Sequence, residues 1–104
     1  MKVPFCRPYL DKTEKEQLNA VLDSGWLIQG ARVSRLEELV AKYVGSSFAV
    51  ATSSGSTALY LALLACGVSA GDEVIVPSLT WVATAAAVVQ CGATPVFCDI
   101  DART

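Results

Sequence analysis

GDEVIVPSLTWVATAAAVVQCGATPVFC, residues 71–98, is the stretch whose reading decides the fold. It opens with a continuous apolar triplet, Val74-Ile75-Val76, ended by Pro77. A run that is apolar nearly all round follows Thr80, reaches about Cys91 and closes at Gly92. Pro95-Val96-Phe97-Cys98 then begins a second strand, with Pro at the first position, where a strand tolerates it. Strands that are apolar without alternation belong to parallel sheets covered on both faces. A helix apolar on every side is buried as well. Residues 71–98 therefore predict a strand–helix–strand unit inside an α/β layer.

Working outward, Phe48-Ala49-Val50-Ala51 reads as an earlier strand. The polar turn Thr52-Ser53-Ser54-Gly55-Ser56-Thr57 leads from it into a helix over about 56–66, which closes at Gly67. The expected winding is βαβαβ. Further upstream the periodicity is helical. Thr13-x-x-Glu16 is a capping-box pattern ahead of Leu18, Val21 and Leu22, and Gly25 stops that helix. Ser34-x-x-Glu37 repeats the pattern; Leu36, Leu39, Val40 and Tyr43 follow at helical spacing, and Gly45 ends it. Between the two lies Gly25-Trp26-Leu27-Ile28-Gln29-Gly30, an apolar loop that packs either on this chain's own core or beside a pocket. Two segments are expected: a helical one over 1–45 and the α/β one over 46–104.

Charge is distributed unevenly between them. Charged residues are 17% of the 104, against about 25% in an average domain. Residues 1–45 hold thirteen of them, whereas the 53 residues from Ser46 to Cys98 hold only Asp72 and Glu73. A free domain this small buries only about 60–70% of its unfolded surface and needs a polar skin throughout. Half of this sequence lacks one, so it is either a membrane segment or the interior of something larger. The longest apolar-plus-Gly run, Ala58–Val68, has 11 residues, and a spanning helix needs about 20. The membrane reading fails. Lys2, Pro4, Arg7 and Pro8 at the start do not suit a secretory leader. A net charge of −2 without a Lys/Arg cluster argues against nucleic acid.

The chain has no His, which removes Ser-His-Asp and Cys-His catalysis and His-based zinc sites. Cys6, Cys66, Cys91 and Cys98 show no Cys-x-x-Cys pairing, and are expected to be small buried hydrophobes in a reducing cytosol rather than metal ligands.

Open parallel sheets bind ligands beyond the carboxyl ends of their strands. Two such places exist here. In 52–57, Gly55 lets the backbone approach a ligand, the first helical N–H groups are unpaired donors, and Ser56 and Thr57 add hydroxyls. That suits a phosphate; the plain alternative is an ordinary N-cap through Ser54 or Ser56. The segment is neither a P-loop nor a dinucleotide fingerprint, and Gly-x-Ser-x-Gly is missing. The second place is Ser78-Leu79-Thr80-Trp81, where the indole suits either a planar ring or a core anchor. A phosphate cradle with an aromatic plate describes a flat, phosphorylated cofactor. Pyridoxal phosphate fits, and flavin mononucleotide competes.

Six separated motifs then occur in order: Gly25-Trp26-Leu27-x-x-Gly30, Glu37…Ala41-x-Tyr43-x-Gly45, Ser53-Ser54-Gly55-Ser56-Thr57-Ala58-Leu59, Gly71-Asp72-Glu73-Val74-Ile75-x-Pro77, Thr80-Trp81-x-Ala83-Thr84 and Gly92-Ala93-x-Pro95-Val96-Phe97-x-Asp99. Together they resemble the amino-terminal part of the DegT/DnrJ/EryC1/StrS aminotransferases, over roughly residues 3–101. The resemblance implies a large domain of fold type I, like that of aspartate aminotransferase: three α/β/α layers on a mostly parallel sheet, incomplete here. It implies pyridoxal 5′-phosphate as cofactor, with the amides of Ser56 and Thr57 and the Ser56 hydroxyl on its phosphate. Gly55 would allow the close approach, and Trp81 would stack on the ring. Many relatives have Thr-Ala where this sequence has Ser56-Thr57.

The resemblance further implies transfer of an amino group, from glutamate, to a nucleotide-linked keto-sugar by a cytoplasmic homodimer. The family's Schiff-base lysine and the acidic partner of its pyridine nitrogen lie downstream of these motifs. Lys2, Lys12, Lys15 and Lys42 do not replace that lysine, so the sequence reads as an amino-terminal fragment, inactive alone. Its strand edges and apolar helix faces should be uncovered, which would make it poorly soluble. A sugar dehydratase of the same family and a non-catalytic regulator are the alternatives.

Overall fold

The computed structural model describes residues 6–103; Lys2 and Pro4, read above for a leader, lie outside them. The chain divides into two compact units, residues 1–49 and 50–104.

The first unit carries helices α1 (Lys12–Ser24) and α2 (Ala31–Val44). The capping box that starts α1 is Asp11 with Glu14, not Thr13 with Glu16. Thr13 N–H donates to Asp11 Oδ1 at 2.6 Å, and Asp11 N–H donates to Glu14 Oε2 at 2.8 Å. Two carboxylates at the positive end of the helix serve better than a hydroxyl one turn later. Those bonds hold the Asp11 carboxyl below its ordinary pKa, the Thr13 backbone N–H being the largest cause. Glu16 instead pairs with Lys12 at 3.3 Å on the exposed surface. As expected, Gly25 ends α1 at φ +68°, a left-handed conformation that suits residues lacking a Cβ.

Helix α2 starts at Ala31, three residues before the predicted Ser34. Its N-cap is Gly30, which has no side chain to cap with, and Val33 and Ser34 donate to the Gly30 carbonyl at 2.9 and 3.2 Å. Gly30 is needed for space: a Cβ there would lie 2.5 Å from Trp26 Nε1. The indole N–H of Trp26 in turn donates to the Gln29 carbonyl at 3.2 Å, folding the loop on itself. The apolar faces read from the sequence stand open. Leu18, Leu22, Leu36, Leu39, Val40 and Tyr43 are exposed, and Ala41 is the one buried residue of these two helices.

The second unit contains α3 (Gly55–Ala65), β1 (Glu73–Pro77), α4 (Ala83–Gln90) and β2 (Thr94–Cys98). β1 and β2 pair in parallel, with Val74 opposite Pro95 and Val76 opposite Phe97. Helix α4 packs on the pair, and α3 packs on α4. Val76, Val88 and Ala93 form the core, with Leu63, Val68 and Val74 partly buried against it. Val88 is 1% exposed and marks its centre. Helix α4 is shorter than read from the sequence, beginning at Ala83 rather than just after Thr80.

Two expectations are corrected here. Phe48–Ala51 is not a strand; no described strand forms a ladder with it, and Phe48 is 86% exposed. Strand assignment needs a partner strand's rungs, and no described strand supplies them here. The described winding is therefore α-β-α-β, not βαβαβ. Nor are the cysteines buried: Cys6, Cys66 and Cys98 are exposed, Cys91 is half-buried, and all four are free thiols. The sheet explains part of this, because among the described residues helices cover one of its faces. Ile75, on the other face, is 74% exposed. No described helix is long and apolar enough to cross a membrane.

Candidate cofactor site

The start of α3 is built by its preceding hydroxyls. Ser54 is the N-cap; its Oγ accepts the Thr57 N–H at 3.2 Å and lies 3.0 Å from Thr57 Oγ1. Ser53 Oγ is 3.3 Å from the same Thr57 oxygen, and Thr52 donates its hydroxyl to the Ser54 carbonyl at 2.9 Å. The choice between Ser54 and Ser56 as cap falls to Ser54. Four hydroxyl residues thus satisfy one another and leave Ser56 out. Among the described residues nothing accepts from the amides of Gly55 and Ser56 or bonds the Ser56 hydroxyl. These are the first-turn donors that a helix cannot satisfy internally, and they sit at the positive end of its dipole.

The start of α4 arrives at the same place. Gly55 and Ser56 from α3, with Trp81, Ala83 and Thr84 from the second helix entrance, line one open cleft of about 670 Å³. Ala58, Leu59 and Ala62 make its apolar floor. Trp81 is 78% exposed and lines the cleft, so among the described residues its indole anchors no core and stands open at this place. Of the predicted site residues, Gly55, Ser56 and Trp81 come together. Thr57 does not line the cleft; its hydroxyl and its amide belong to the cap.

The lining has donors, apolar wall and an aromatic face, and no ionisable side chain. It can hold an anion and a ring, but no lining side chain can act as general acid or base at neutral pH. Ala58, Leu59, Ala62, Ala83 and Thr84 also line the cleft and were not among the predicted site residues; Thr84 is the polar one, and its place in the Thr80-Trp81-x-Ala83-Thr84 motif was the available signal. Among the described residues no group of three or more His, Cys, Asp or Glu comes together as a metal site.

A parallel β-α-β unit whose helix entrances share one donor-rich cleft is the ligand-binding end of an α/β layer. Comparison with known proteins makes the assignment specific. The sequence pattern of the DegT/DnrJ/EryC1/StrS aminotransferase family matches residues 8–104, and the chain belongs to that family. It is 42% identical over 100 residues to the UDP-4-amino-4-deoxy-L-arabinose–oxoglutarate aminotransferase of Shewanella sediminis (strain HAW-EB3), covering 96% of this chain and 26% of that protein.

Among solved structures, Spr1654 of Streptococcus pneumoniae, named as a sugar aminotransferase and solved in a PLP form, superposes with a TM-score of 0.93 at 36% identity. The match covers 100% of this chain and 26% of that one. The GDP-4-keto-6-deoxy-D-mannose-3-dehydratase of E. coli, solved with hydrated PLP, gives 0.87 at 36% identity over 96% of this chain and 27% of its own. The fold is that of the PLP-dependent aminotransferases, in part: the chain spans about a quarter of these relatives' length.

Proposed function

We propose that this chain forms the phosphate-and-ring side of a pyridoxal 5′-phosphate site in a sugar-nucleotide aminotransferase. The observation that carries the proposal is the cleft itself, where unpaired Gly55 and Ser56 donors and the free Trp81 indole face one space. The residues fit the group. The Gly55 and Ser56 amides and the Ser56 hydroxyl would take the phosphate, and Gly55, with nothing within 4 Å of a Cβ position, leaves room for its approach. Thr57 holds the cap, and its amide joins the phosphate set only when Ser54 Oγ releases it. Trp81 would lie against the ring, fix its plane and shield one side from water. Flavin mononucleotide meets the same donors, but the relatives solved with PLP favour the smaller ring.

When bound, the pyridoxal ring supplies an electron sink for bonds at an amino carbon. This chain's residues bind and orient; none of those lining the cleft moves a proton. Residues 46–104 are read as the first part of the cofactor-binding layer and 1–45 as a helical segment before it. The complete protein would act in the cytoplasm as a homodimer, moving an amino group from glutamate to a nucleotide-linked keto-sugar. Residues 1–104 alone would not transfer it. The dehydratase relative supports a second reading, in which the same cradle serves loss of water from the sugar. An amino-sugar product excludes that reading, and a deoxy-keto product excludes the first.

Calorimetric titration of the chain with three probes tests the site. The probes are 4-deoxypyridoxine 5′-phosphate, which has no aldehyde to react with surface lysines, 4-deoxypyridoxine and inorganic phosphate. The first should bind more tightly than either half. Equal affinity for all three would refute a site that reads phosphate and ring together.

A further inference from the structure

The cofactor reading leaves Thr80 and Thr84 without a role, although they flank Trp81 at i and i+4. Exposed as it is, Trp81 is not fixed by burial, and its indole N–H has no acceptor among the described residues. Trp26, by contrast, is tied through its own ring nitrogen. Whatever orients Trp81 must therefore act through its backbone.

Two bonds do so. The Thr84 N–H donates to the Trp81 carbonyl at 3.0 Å. The hydroxyls of Thr80 and Thr84 lie 3.2 Å apart, closing a loop around Trp81 from both sides. Helix α4 has no side-chain cap, because its N-cap is Val82. Thr84 also has a firm seat: it is half-buried and lines both the cleft and the apolar pocket against Val76 and Val88. Thr80 is exposed and has no such seat.

We infer that the Thr80–Thr84 hydroxyl bridge is a positioning device that holds the Trp81 plate at the mouth of the cleft. It connects the residue next to Trp81 to one anchored over the core. A freely swinging indole would have to be ordered each time a ring binds; the bridge meets that cost in advance, within the fold. The inference rests on the cofactor reading of the cleft but is tested apart from it.

The test uses the chain with Trp26→Phe, which leaves Trp81 as the sole indole of the two present. One readout is the emission anisotropy of Trp81 in the free protein. The other is its quenching by 4-deoxypyridoxine 5′-phosphate. Thr84→Val and Thr80→Val should each lower the anisotropy and weaken binding about fivefold, the usual worth of one net hydrogen bond. Thr84→Ser, which keeps the hydroxyl, should restore both. Valine variants with the parent's anisotropy and affinity would overturn the inference, as would a serine variant no better than valine. Should Thr84→Val lose its circular-dichroism signature, Thr80→Val decides alone. If the parent shows no saturable quenching, the cofactor reading falls, and the anisotropy still decides the bridge.

Discussion

Replacing Trp81 by Ala should damage ring binding heavily and the fold hardly at all. The two magnitudes come from the same fact. With 78% of Trp81 exposed, truncation removes little buried surface and opens no cavity. A surface change of that kind falls within about 0.5 kcal/mol of stability. Stacking of a flat heterocycle on an aromatic side chain is worth about 1–3 kcal/mol by alanine substitution. Affinity for 4-deoxypyridoxine 5′-phosphate should therefore fall roughly 5- to 150-fold. Affinity for inorganic phosphate, which touches only the Gly55–Ser56 side, should stay the same. Calorimetry gives both affinities without needing the lost fluorophore, and urea titration gives the stability. Ring-probe affinity unchanged by the substitution would refute the plate. A stability loss above about 2 kcal/mol would refute the exposed placement, since it would mean that Trp81 packs in a core.

Ser56→Ala should weaken inorganic phosphate and the ring probe by the same factor, about fivefold, because it removes one hydroxyl donor both ligands share; a loss confined to the ring probe would contradict its role. Val88→Ala takes two methyl groups from the largest fully buried side chain among the described residues. At about 0.8 kcal/mol per buried CH₂ plus a cavity term, it should cost roughly 2 kcal/mol in urea unfolding. Gly30→Ala should displace Trp26, whose ring nitrogen would meet the new methyl, and so change the Trp26 emission while leaving α2 helical by circular dichroism. Because Asp11 titrates below its ordinary value in the folded chain, its cap is fully present above about pH 4 and is lost as pH falls through the lower folded pKa. Helicity of the first unit should drop less on acidification in Asp11→Asn, which still caps but does not titrate, than in the parent.

What the sequence made legible was local and periodic. Gly25 and Gly45 end their helices because a left-handed residue there favours glycine, and that signal needs no partner. β1 and β2 were readable because their apolar runs end at Pro77 and begin at Pro95, and their parallel pairing followed from the intervening helix. Phe48–Ala51 misled because strand character is a property of a pair. The apolar composition was right for a strand, but no described strand is present to complete it. The helix starts misled for a different reason. Ser/Thr-x-x-Glu occurs at Thr13 and Ser34, yet Asp11 and Gly30 lie closer to the first free amides and take the caps. At the cleft, residue types were enough to put Gly55, Ser56 and Trp81 along one lining. They could not show that Thr57 spends its amide on Ser54, which depends on where one hydroxyl points.

The central claim is that one cleft reads a phosphate with the entrance of α3 and a ring with Trp81. Amide and indole ¹H–¹⁵N spectra of the chain, titrated with 4-deoxypyridoxine 5′-phosphate, test it most directly. The backbone N–H signals of Gly55 and Ser56 and the ring N–H of Trp81 should move together along one saturation curve, with the Gly55 and Ser56 protons shifting downfield as they meet the phosphate. Shifts that leave Gly55 and Ser56 untouched, or that follow a different curve from Trp81, would contradict it.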